Sequence, residues 1–512
     1  MAYLIGLDVG TSSTKAVLID EGGRVLFTIA PAYEFRTPKP LWAESDPADW
    51  WAAAQNAFRE LLEKTKIPPG EIAGVGLTGQ MHGLVMLDAR GEVLRPCIMW
   101  NDQRTAKQCA AITKKVGRAR VHKLTGNPVL PGFTAPKIVW VAENEPDVFR
   151  RTAKILLPKD YIRYKLSGEF FTDVSDASGM SLLDVAKRRW CDEMLKACDV
   201  PRTWLAEVTE SPVASTKVSA AAAKLTGLRE GTPIIAGGGD QAAGAVGCGI
   251  VKTGVVSCTL GTSGVVFAHA DKYQPEPQGR LHAFCHAVPG KWHLMGVQLS
   301  SAGSFQWFKN TLGGEESARE RAGEGNAYDL LTATAAKAPA GSEGLIFLPY
   351  LTGERTPHPD PNARGVFFGL TLRHGKAHLT RSVLEGVTYG LRDTLELMRG
   401  LDIHPKSVVA SGGGAKSAFW RQMLADNFET PIVTVSASEG SAYGAALLAG
   451  VGSGIWPTVE KACAVCIKET ARTKPGSDAK AYKDYYPHFR ALYPKLKSEF
   501  ASLAATVAKN HG

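Results

Sequence analysis

The beginning of the chain alternates apolar runs with short polar turns. Residues 3–9 are apolar enough for a buried strand, residues 10–14 interrupt that run with Gly, Thr and Ser, and residues 15–20 resume a strand. A Glu-Gly-Gly turn then leads into a third short run over residues 24–28. Apolar runs bounded by such turns predict a β-meander whose first turn is rich in hydroxyl groups.

The same arrangement recurs about half a chain later. Residues 254–260 predict a strand, residues 261–264 a Gly-Thr-Ser-Gly turn, and residues 265–268 the returning strand. A Gly-Thr-Ser turn between two strands in each half predicts an internal duplication. Chance recurrence of three residues is the alternative.

Helical periodicity adds helices to this pattern. Apolar residues recur at helical spacing over residues 48–64 and again over residues 379–398. Short strands are predicted over residues 72–77 and 407–410, and each ends in a Gly-rich turn. Strands that end in Gly-rich turns ahead of helices predict an α/β fold that binds its ligand beyond the strand ends.

The duplication predicts two domains of similar length. We place the boundary near residue 250, after a helix of small residues over 240–249. This gives an N-terminal domain of residues 1–250 and a C-terminal domain of residues 251–512. The stretch 480–509 predicts a surface helix with aromatic anchors.

Composition is that of a soluble globular protein. The 512 residues are 44% hydrophobic and 21% charged, which argues against whole-chain disorder, a collagen helix or a coiled coil. The net charge is +9, but no long basic run accompanies it, so nucleic-acid binding is not indicated. No apolar stretch reaches the roughly 20 residues of a membrane span, and no membrane partner is expected.

Cysteine usage and the N-terminus indicate a reducing compartment. The nine Cys residues are an odd number spread over a long chain, which is not a disulfide framework. Cys463 and Cys466 form a lone CxxC motif, for which one-turn spacing on a buried helix is the simpler explanation. The N-terminus lacks a basic stretch, and Asp8 interrupts its apolar run, so no signal peptide is expected. We therefore expect a cytoplasmic protein.

The first Gly-rich turn carries groups that hold phosphate, although the chain has neither a Walker A loop nor a dinucleotide-binding GxGxxG fingerprint. Hydroxyl groups at Thr11, Ser12 and Ser13 and the ammonium of Lys15 suit a phosphate ligand. Asp8 precedes the turn, where a carboxylate can hold Mg²⁺ through water. A plain polar hairpin tip is the alternative.

A matching turn in the second half favours phosphate binding over a plain hairpin tip. Gly261 and Thr262 repeat the hydroxyl-bearing turn, so two turns are predicted to clamp phosphates from opposite sides. Further on, Gly413, Gly414 and Ser417 lie where a strand ends and a helix begins, and bare glycines allow a flat nucleoside to lie against the backbone. The alternative there is a simple tight turn.

Asp240 is the strongest candidate for catalysis. It follows three glycines and begins a helix of small residues, so a ligand can approach it closely. A carboxylate there can accept a hydroxyl proton during phosphoryl transfer. A helix-capping Asp is the alternative. The helix dipole is expected to lower the pKa of Asp240, which weakens it as a base.

Two further motifs contain groups that suit a sugar. Met81 and His82 lie in a Gly-flanked turn, where the imidazole can hydrogen-bond a hydroxyl and Met offers an adaptable apolar wall. Trp100 is followed by polar residues up to Arg104, and an aromatic platform next to polar groups is typical of a carbohydrate site. A buried Trp beside a surface ion pair is the alternative. The polar loop 353–358 receives no role from the sequence.

Taken together, these motifs resemble the FGGY carbohydrate kinases, and within them the xylulokinase branch. The resemblance covers nearly the whole chain and rests on LIGLDVGTSSTKAVL, GLTGQMHGLVMLD, MWNDQRT, LPKDYIRYKLSGE, TDVSDASGM, GGGDQAAGAVGCG, LGTSG, PYLTGERTPHPDPNARGVFFGL, SGGGAKSAFWRQMLAD and EGSAYGAALLAG. The set is highly specific, whereas a short piece such as LGTSG is not.

The resemblance implies two actin-like, RNase-H-like α/β domains with ATP in the cleft between them. It implies ATP- and Mg²⁺-dependent phosphorylation of D-xylulose to D-xylulose 5-phosphate. Asp240 then becomes the catalytic base and Asp8 the metal-associated carboxylate. The implied phosphate contacts are Thr11, Ser12, Ser13, Lys15, Gly261 and Thr262, the implied adenosine contacts are Gly413, Gly414 and Ser417, and the implied sugar contacts are Met81 and His82.

One position departs from the family pattern. Gln241 follows the catalytic Asp where many xylulokinases have Asn, so the sugar pose and the exact ketose stay open. The alternatives are a kinase for D-ribulose, L-ribulose or a polyol such as glycerol, and an actin-like ATPase without a sugar substrate. Dimers are usual in such families, and a homodimer is an open alternative to a monomer.

Overall fold

The computed structural model describes residues 2–437 and 439–511. The strands are β1 (Tyr3–Val9), β2 (Thr14–Asp20), β3 (Val25–Ile29), β4 (Glu44–Ser45), β5 (Ile72–Gly79), β6 (Val85–Leu87), β7 (Cys97–Ile98), β8 (Lys154–Leu156), β9 (Phe171–Asp173), β10 (Leu183–Asp184), β11 (Arg189–Trp190), β12 (Glu207–Thr209), β13 (Ala214–Lys217), β14 (Pro233–Gly239), β15 (Val255–Leu260), β16 (Gly264–Ala270), β17 (His282–Cys285), β18 (Trp292–Gln298), β19 (Ile346–Leu348), β20 (Val366–Phe368), β21 (Ser407–Ser411), β22 (Ile432–Val435) and β23 (Glu469–Thr473).

The helices complete the α/β pattern. They are α1 (Pro47–Thr65), α2 (Ala106–Val116), α3 (Arg118–Thr125), α4 (Thr134–Asn144), α5 (Pro146–Arg151), α6 (Pro158–Ser167), α7 (Val174–Ala177), α8 (Asp192–Ala197), α9 (Ala220–Thr226), α10 (Asp240–Gly247), α11 (Ala302–Leu312), α12 (Gly314–Arg321), α13 (Ala327–Ala335), α14 (Lys376–Arg399), α15 (Ala418–Phe428), α16 (Gly440–Gly452), α17 (Val459–Cys466) and α18 (Ala479–His511). Among the described residues, no helix is both long and apolar enough to span a membrane.

Each half of the chain builds one main sheet, and the two sheets share a topology. In the described residues the first sheet runs β13-β14-β5-β1-β2-β3, and the second runs β17-β18-β16-β15-β21-β22-β23. In the first, β1 pairs antiparallel with β2 and parallel with β5. In the second, β15 pairs antiparallel with β16 and parallel with β21. The shared pairing order confirms the predicted duplication.

Helix α16, from the second half, packs against the first sheet at very short range. A Cβ atom added to Gly6 of β1 would lie 1.9 Å from the Ala442 carbonyl oxygen, and one added to Gly76 of β5 would lie 1.9 Å from that of Ala445. Glycines in the strands therefore allow the backbone of the helix to touch the sheet. The two main sheets come from the parts of the chain before and after residue 250. However, α16 belongs to the second part and packs on the sheet of the first, so the domain boundary stays a prediction.

The predicted elements match the structure closely where their apolar pattern is strong. The helix predicted over 48–64 is α1, the one over 379–398 lies within α14, and the C-terminal stretch forms α18. Cys463 and Cys466 are both buried on α17, one turn apart, as the sequence indicated.

Candidate active site

Three parallel strands of the first sheet end at one edge and bring the candidate residues together. Asp8 of β1 lies opposite Thr78 of β5, which in turn lies opposite Gly238 of β14. The turn with Met81 and His82 directly follows β5, and Asp240 directly follows β14. On the other side of β1, Lys15 of β2 is paired with Asp8. The predicted residues near Asp8 and Asp240 therefore share the carboxyl edge of this sheet.

Asp8 is held by a residue of the second half. Its Oδ2 accepts a hydrogen bond of 2.5 Å from Ser441 Oγ, at the start of α16. Its Oδ1 is buried and has no hydrogen-bond partner among the described residues. Burial raises the pKa of Asp8, while the Ser441 hydroxyl and the Lys15 ammonium act in the opposite direction. Asp8 thus presents one buried carboxylate oxygen that a ligand can engage.

Asp240 begins α10, with its Oδ1 accepting a hydrogen bond of 2.8 Å from the Gln241 backbone amide. Burial and the charge of nearby Asp8 raise the pKa of Asp240 to about 7, against the hydrogen bonds from Gln241. The expectation that the helix dipole would lower this pKa is wrong. Desolvation and a second carboxylate outweigh the dipole of a short helix here.

A buried charged network holds the strand end beneath Asp240. The amide of Gly239 donates to Ser175 Oγ at 3.1 Å, and Ser175 Oγ donates to Asp173 Oδ2 at 2.5 Å. Asp173 forms an ion pair of 3.0 Å with Lys159, and both side chains are fully buried. The network fixes the backbone just before Asp240. The role of these residues is not predicted from the sequence, because nothing in the local sequence shows that α6, α7 and β14 meet.

His82 has a strained backbone that its neighbours hold in place. Its φ is +70°, and its carbonyl oxygen accepts hydrogen bonds from Thr134 Oγ1 at 3.0 Å and Lys137 Nζ at 2.9 Å. The ring Nδ1 lies 2.7 Å from the Gly179 carbonyl oxygen. Nδ1 must therefore carry the hydrogen and donate it, which leaves Nε2 as an acceptor. Burial lowers the pKa of His82 to about 3, so the ring is neutral.

The other partner of the predicted pair, Met81, is buried and is not among the residues that line the cavity bordered by His82. Its side chain packs against Gly239 and Gly179, where added Cβ atoms would lie about 2.9 Å from it. Met81 thus fills the space between the His82 turn and the strand that leads to Asp240.

His82 lines a cavity of about 320 Å³ to which both halves of the chain contribute. The N-terminal half supplies His82, Trp100 and Phe133, and Phe133 stacks on the His82 ring with centroids 4.4 Å apart. The C-terminal half supplies His282 and Arg355, among others. A cavity with aromatic walls and a few polar groups suits a small polyhydroxylated ligand.

Trp100 connects this cavity to the first Gly-rich turn. Its side chain is 41% exposed, and its Nε1 donates to Thr11 Oγ1 at 3.1 Å. The alternative of a buried Trp beside a surface ion pair is therefore wrong on both points, because Trp100 is exposed and the Asp102–Arg104 ion pair of 2.7 Å is buried. The polar stretch after Trp100 is structural, whereas the indole itself is accessible.

A second cavity, of about 700 Å³, lies in the C-terminal half. It gathers the predicted contacts Gly261, Thr262, Gly413, Gly414 and Ser417, with Trp420 at its wall. Gly412, just before them, has φ +84°, and a Cβ there would meet the Leu260 carbonyl oxygen at 2.6 Å, so only Gly fits. At Gly413, by contrast, no described atom lies within 4 Å of an added Cβ.

Of the two turns predicted to clamp phosphates, only the second contributes to the lining of the C-terminal cavity. Thr262 borders the C-terminal cavity, while Thr11 bonds to Trp100 beside the other cavity, and Ser12 is exposed. A joint grip on one triphosphate therefore stays a prediction. Lys15 Nζ lies 3.4 Å from Glu439 of the second half, which places the first turn at the junction of the halves.

Comparison with known proteins identifies this architecture. The sequence model of the FGGY family of carbohydrate kinases matches residues 3–247 for its N-terminal domain and residues 256–453 for its C-terminal domain. The chain belongs to the FGGY family of carbohydrate kinases. It is 42% identical over 497 residues to the xylulose kinase of Escherichia coli K12, which covers 96% of this chain and 99% of that one.

Solved structures of FGGY kinases agree with this assignment. A xyloylose kinase from Brucella ovis superimposes with a TM-score of 0.89 at 38% identity and covers 97% of this chain and 99% of that one. A ligand-bound xylulose kinase from Lactobacillus acidophilus gives 0.92 at 28% identity, with 98% and 100% covered. The fold is thus the two-domain, actin-like FGGY kinase fold, and the chain is a phosphotransferase that acts on a sugar hydroxyl.

Proposed function

We propose that this FGGY kinase transfers the γ-phosphoryl group of ATP to the O5 hydroxyl of D-xylulose. The observation that carries the proposal is the Asp8–Asp240 pair at the sheet edge, next to the turn that leads into the His82 cavity. The relatives from E. coli and B. ovis are named as a xylulose kinase and a xyloylose kinase and cover nearly the whole chain, which supports xylulose as the acceptor. D-xylulose 5-phosphate and ADP are the products.

Asp240 acts as the general base. A carboxylate whose pKa is about 7 is about half ionised in neutral solution, and its ionised form is basic enough to accept the proton of the attacking hydroxyl. The Gly239–Ser175–Asp173 hydrogen bonds fix its position. Transfer of the proton to Asp240 leaves the sugar oxygen free to attack the γ-phosphorus in line with the leaving ADP.

Asp8 suits a magnesium ion. Its buried, unpartnered Oδ1 is a hard oxygen donor, which is the ligand type that Mg²⁺ prefers, and Asp240 adds negative charge nearby. Among the described residues no cluster of three or more His, Cys, Asp or Glu side chains forms a metal site. We infer that Asp8 would hold the ion through this oxygen. When bound, Mg²⁺ neutralises charge on the phosphates.

The C-terminal cavity suits the nucleotide. Open space at Gly413 leaves room for a flat base or ribose, and the Thr262 turn offers a hydroxyl and backbone groups to phosphates. Thr11, Ser12, Ser13 and Lys15 are proposed as the opposing phosphate contacts. Closure of the two halves would bring these groups toward Thr262 and exclude water from the reaction.

The acceptor sugar is proposed to lie against His82 and Trp100. Neutral His82 accepts a hydrogen bond from a sugar hydroxyl at Nε2, and the exposed indole offers an apolar face. Met81 acts as the wall behind them, and Gln241 places an amide beside the catalytic carboxylate. Because the chemistry needs cellular ATP, we infer a cytoplasmic enzyme.

A panel of acceptors with coupled detection of ADP tests the proposal. D-xylulose should give the highest kcat/KM among D-xylulose, D-ribulose, L-ribulose, glycerol and gluconate, and Asp240→Ala should abolish sugar-dependent turnover while ATP still binds. Preference for another acceptor would overturn the assignment of xylulose. ATP hydrolysis that no acceptor stimulates would overturn the kinase and favour an actin-like ATPase.

A further inference from the structure

The loop formed by residues 353–358, for which no function is predicted from the sequence, reaches the cavity that His82 lines. Arg355 and Glu354 of the C-terminal half line it together with His82 and Trp100 of the N-terminal half. Asp240 is not among the lining residues of this cavity. If the reacting hydroxyl of the acceptor lies at Asp240 and the rest of the molecule occupies this cavity, Arg355 is a lining group available to its other end.

The loop is fastened to the end of β18 and presents Arg355 in a fixed position. The Thr356 amide donates to the Val297 carbonyl oxygen at 3.1 Å, and the Val297 amide donates to Thr356 Oγ1 at 3.1 Å. Glu354 Oε1 accepts from the amides of Leu299 at 2.9 Å and Arg355 at 2.7 Å. A guanidinium on such a braced loop loses little freedom when it binds a ligand.

The same strand end also holds the second phosphate turn. Two residues beyond Leu299, the Ser301 amide donates to the Thr262 carbonyl oxygen at 2.9 Å. The Arg355 loop and the Thr262 turn are thus both hydrogen-bonded to residues 297–301, and they would move together when the halves close.

Arg355 is an uncompensated cation in this cavity. In the described part of the chain no carboxylate forms an ion pair with its guanidinium. Neighbouring Glu354 is held largely neutral, because burial raises its pKa to about 8. Arg280, which also lines the cavity, differs because Glu276 pairs with it at 2.6 Å.

The other carboxylate at the wall, Asp360, forms no ion pair with Arg355 in the described part of the chain. Asp360 accepts a hydrogen bond of 2.9 Å from the Tyr493 hydroxyl and another from the Asn362 amide. His82 and His282 are both neutral, and the charge of Arg355 is one of the causes that lower their pKa values to about 3. The charge of Arg355 is thus felt by both rings, and its guanidinium donors are not used by any residue that the structure describes.

We propose that Arg355 is a specificity-determining residue that donates hydrogen bonds to the oxygens at the end of the acceptor remote from the phosphorylated hydroxyl. For a ketopentose these are the C1 hydroxyl and the C2 carbonyl. This inference rests on the proposed sugar kinase activity. It explains how residues from the second half select an acceptor that the first half holds.

A double-mutant-type cycle, which combines removal of a ligand hydroxyl with replacement of Arg355, tests the proposal. Affinities of the unmodified full-length enzyme and its Arg355→Ala and Arg355→Gln variants are measured by calorimetry without ATP, for D-xylulose and for 1-deoxy-D-xylulose. The wild type should bind the deoxy sugar about 10-fold or more weakly, as expected when a hydrogen bond to a charged group is lost. In Arg355→Ala the two sugars should bind equally.

The matched control is Arg364→Ala. Arg364 lies nine residues after Arg355, is exposed, and does not line the cavity. Among the described residues it donates to the carbonyl oxygens of Pro361 and Ala363, so its loss should leave the preference between the two sugars unchanged. A preference that survives in both Arg355 variants overturns the proposal, and should Arg355→Ala fail to fold, Arg355→Gln decides.

Failure of the proposed function can be told apart from failure of this inference. If the acceptor panel shows another substrate, the proposed xylulose activity fails. The cycle is then run with that substrate and its analogue lacking the hydroxyl farthest from the phosphorylated position. Loss of discrimination in Arg355→Ala still supports the inference, and retained discrimination still overturns it.

Discussion

Ser441 and Asp8 are 433 positions apart in sequence and are joined by a hydrogen bond of 2.5 Å. The bond crosses from the second half of the chain to the sheet edge of the first. It is one of the causes that hold down the pKa of Asp8, which burial otherwise raises. The state of the proposed metal ligand is therefore set partly by a hydroxyl that the other half contributes.

Replacing Ser441 should weaken the use of magnesium. In Ser441→Ala the pKa of Asp8 rises further, so a smaller fraction of Asp8 is ionised. The Mg²⁺ concentration for half-maximal rate should increase about 10-fold, since a hydrogen bond to a charged group contributes roughly 1.5–3 kcal/mol. Titration of the rate with Mg²⁺ measures this. Ser441→Thr, which keeps the hydroxyl, is the control, and an unchanged requirement in Ser441→Ala contradicts the role of Asp8.

The pH profile should report Asp240. Below its pKa of about 7 the carboxyl is protonated and cannot accept the hydroxyl proton. kcat/KM for the acceptor should therefore rise about 10-fold per pH unit up to that value and then level off. Asp8→Asn removes a neighbouring charge, so the titration of Asp240, followed by carboxyl NMR, should move to lower pH. A flat profile between pH 5.5 and 8 would count against Asp240 as the base.

Gly413→Ala should raise the KM for ATP without loss of stability. No described atom lies within 4 Å of the added methyl group, so the fold accepts it, but the methyl group occupies space assigned to the nucleoside. We expect an increase of about 10-fold in KM for ATP and an unchanged KM for the sugar. Steady-state kinetics with both substrates varied distinguishes these effects. An unchanged KM for ATP would remove Gly413 from the nucleotide site.

Gly76→Ala should destabilise the junction of the halves. The added methyl group would lie 1.9 Å from the Ala445 carbonyl oxygen of α16, and neither backbone can move away freely. Overpacking of this kind costs about 3 kcal/mol, so the midpoint of thermal unfolding should fall by several degrees. The control is Gly314→Ala at the exposed start of α12, where no described atom lies within 4 Å. Equal unfolding temperatures for the two variants would contradict the packing described for α16.

The sequence by itself determined the elements and much of the chemistry. Strong apolar periodicity located β1, β2, α1 and α14 to within a few residues. The repeated Gly-Thr-Ser turn indicated the duplication, because in both halves it lies between two predicted strands. The Gly-rich segment before Asp240 marked the carboxylate, since closely spaced glycines indicate a backbone that a ligand approaches.

Only the tertiary structure decided how that chemistry is tuned. The pKa of Asp240 depends on Asp8 and on burial, both of which arise from strands far apart in sequence, and the local helix dipole predicted the wrong direction. Ser441, the Lys159–Asp173 ion pair and Arg355 act across elements that no short pattern connects. Local spacing specifies which groups a segment carries, whereas desolvation and long-range contacts, which exist only in the packed chain, set their charge and their partners.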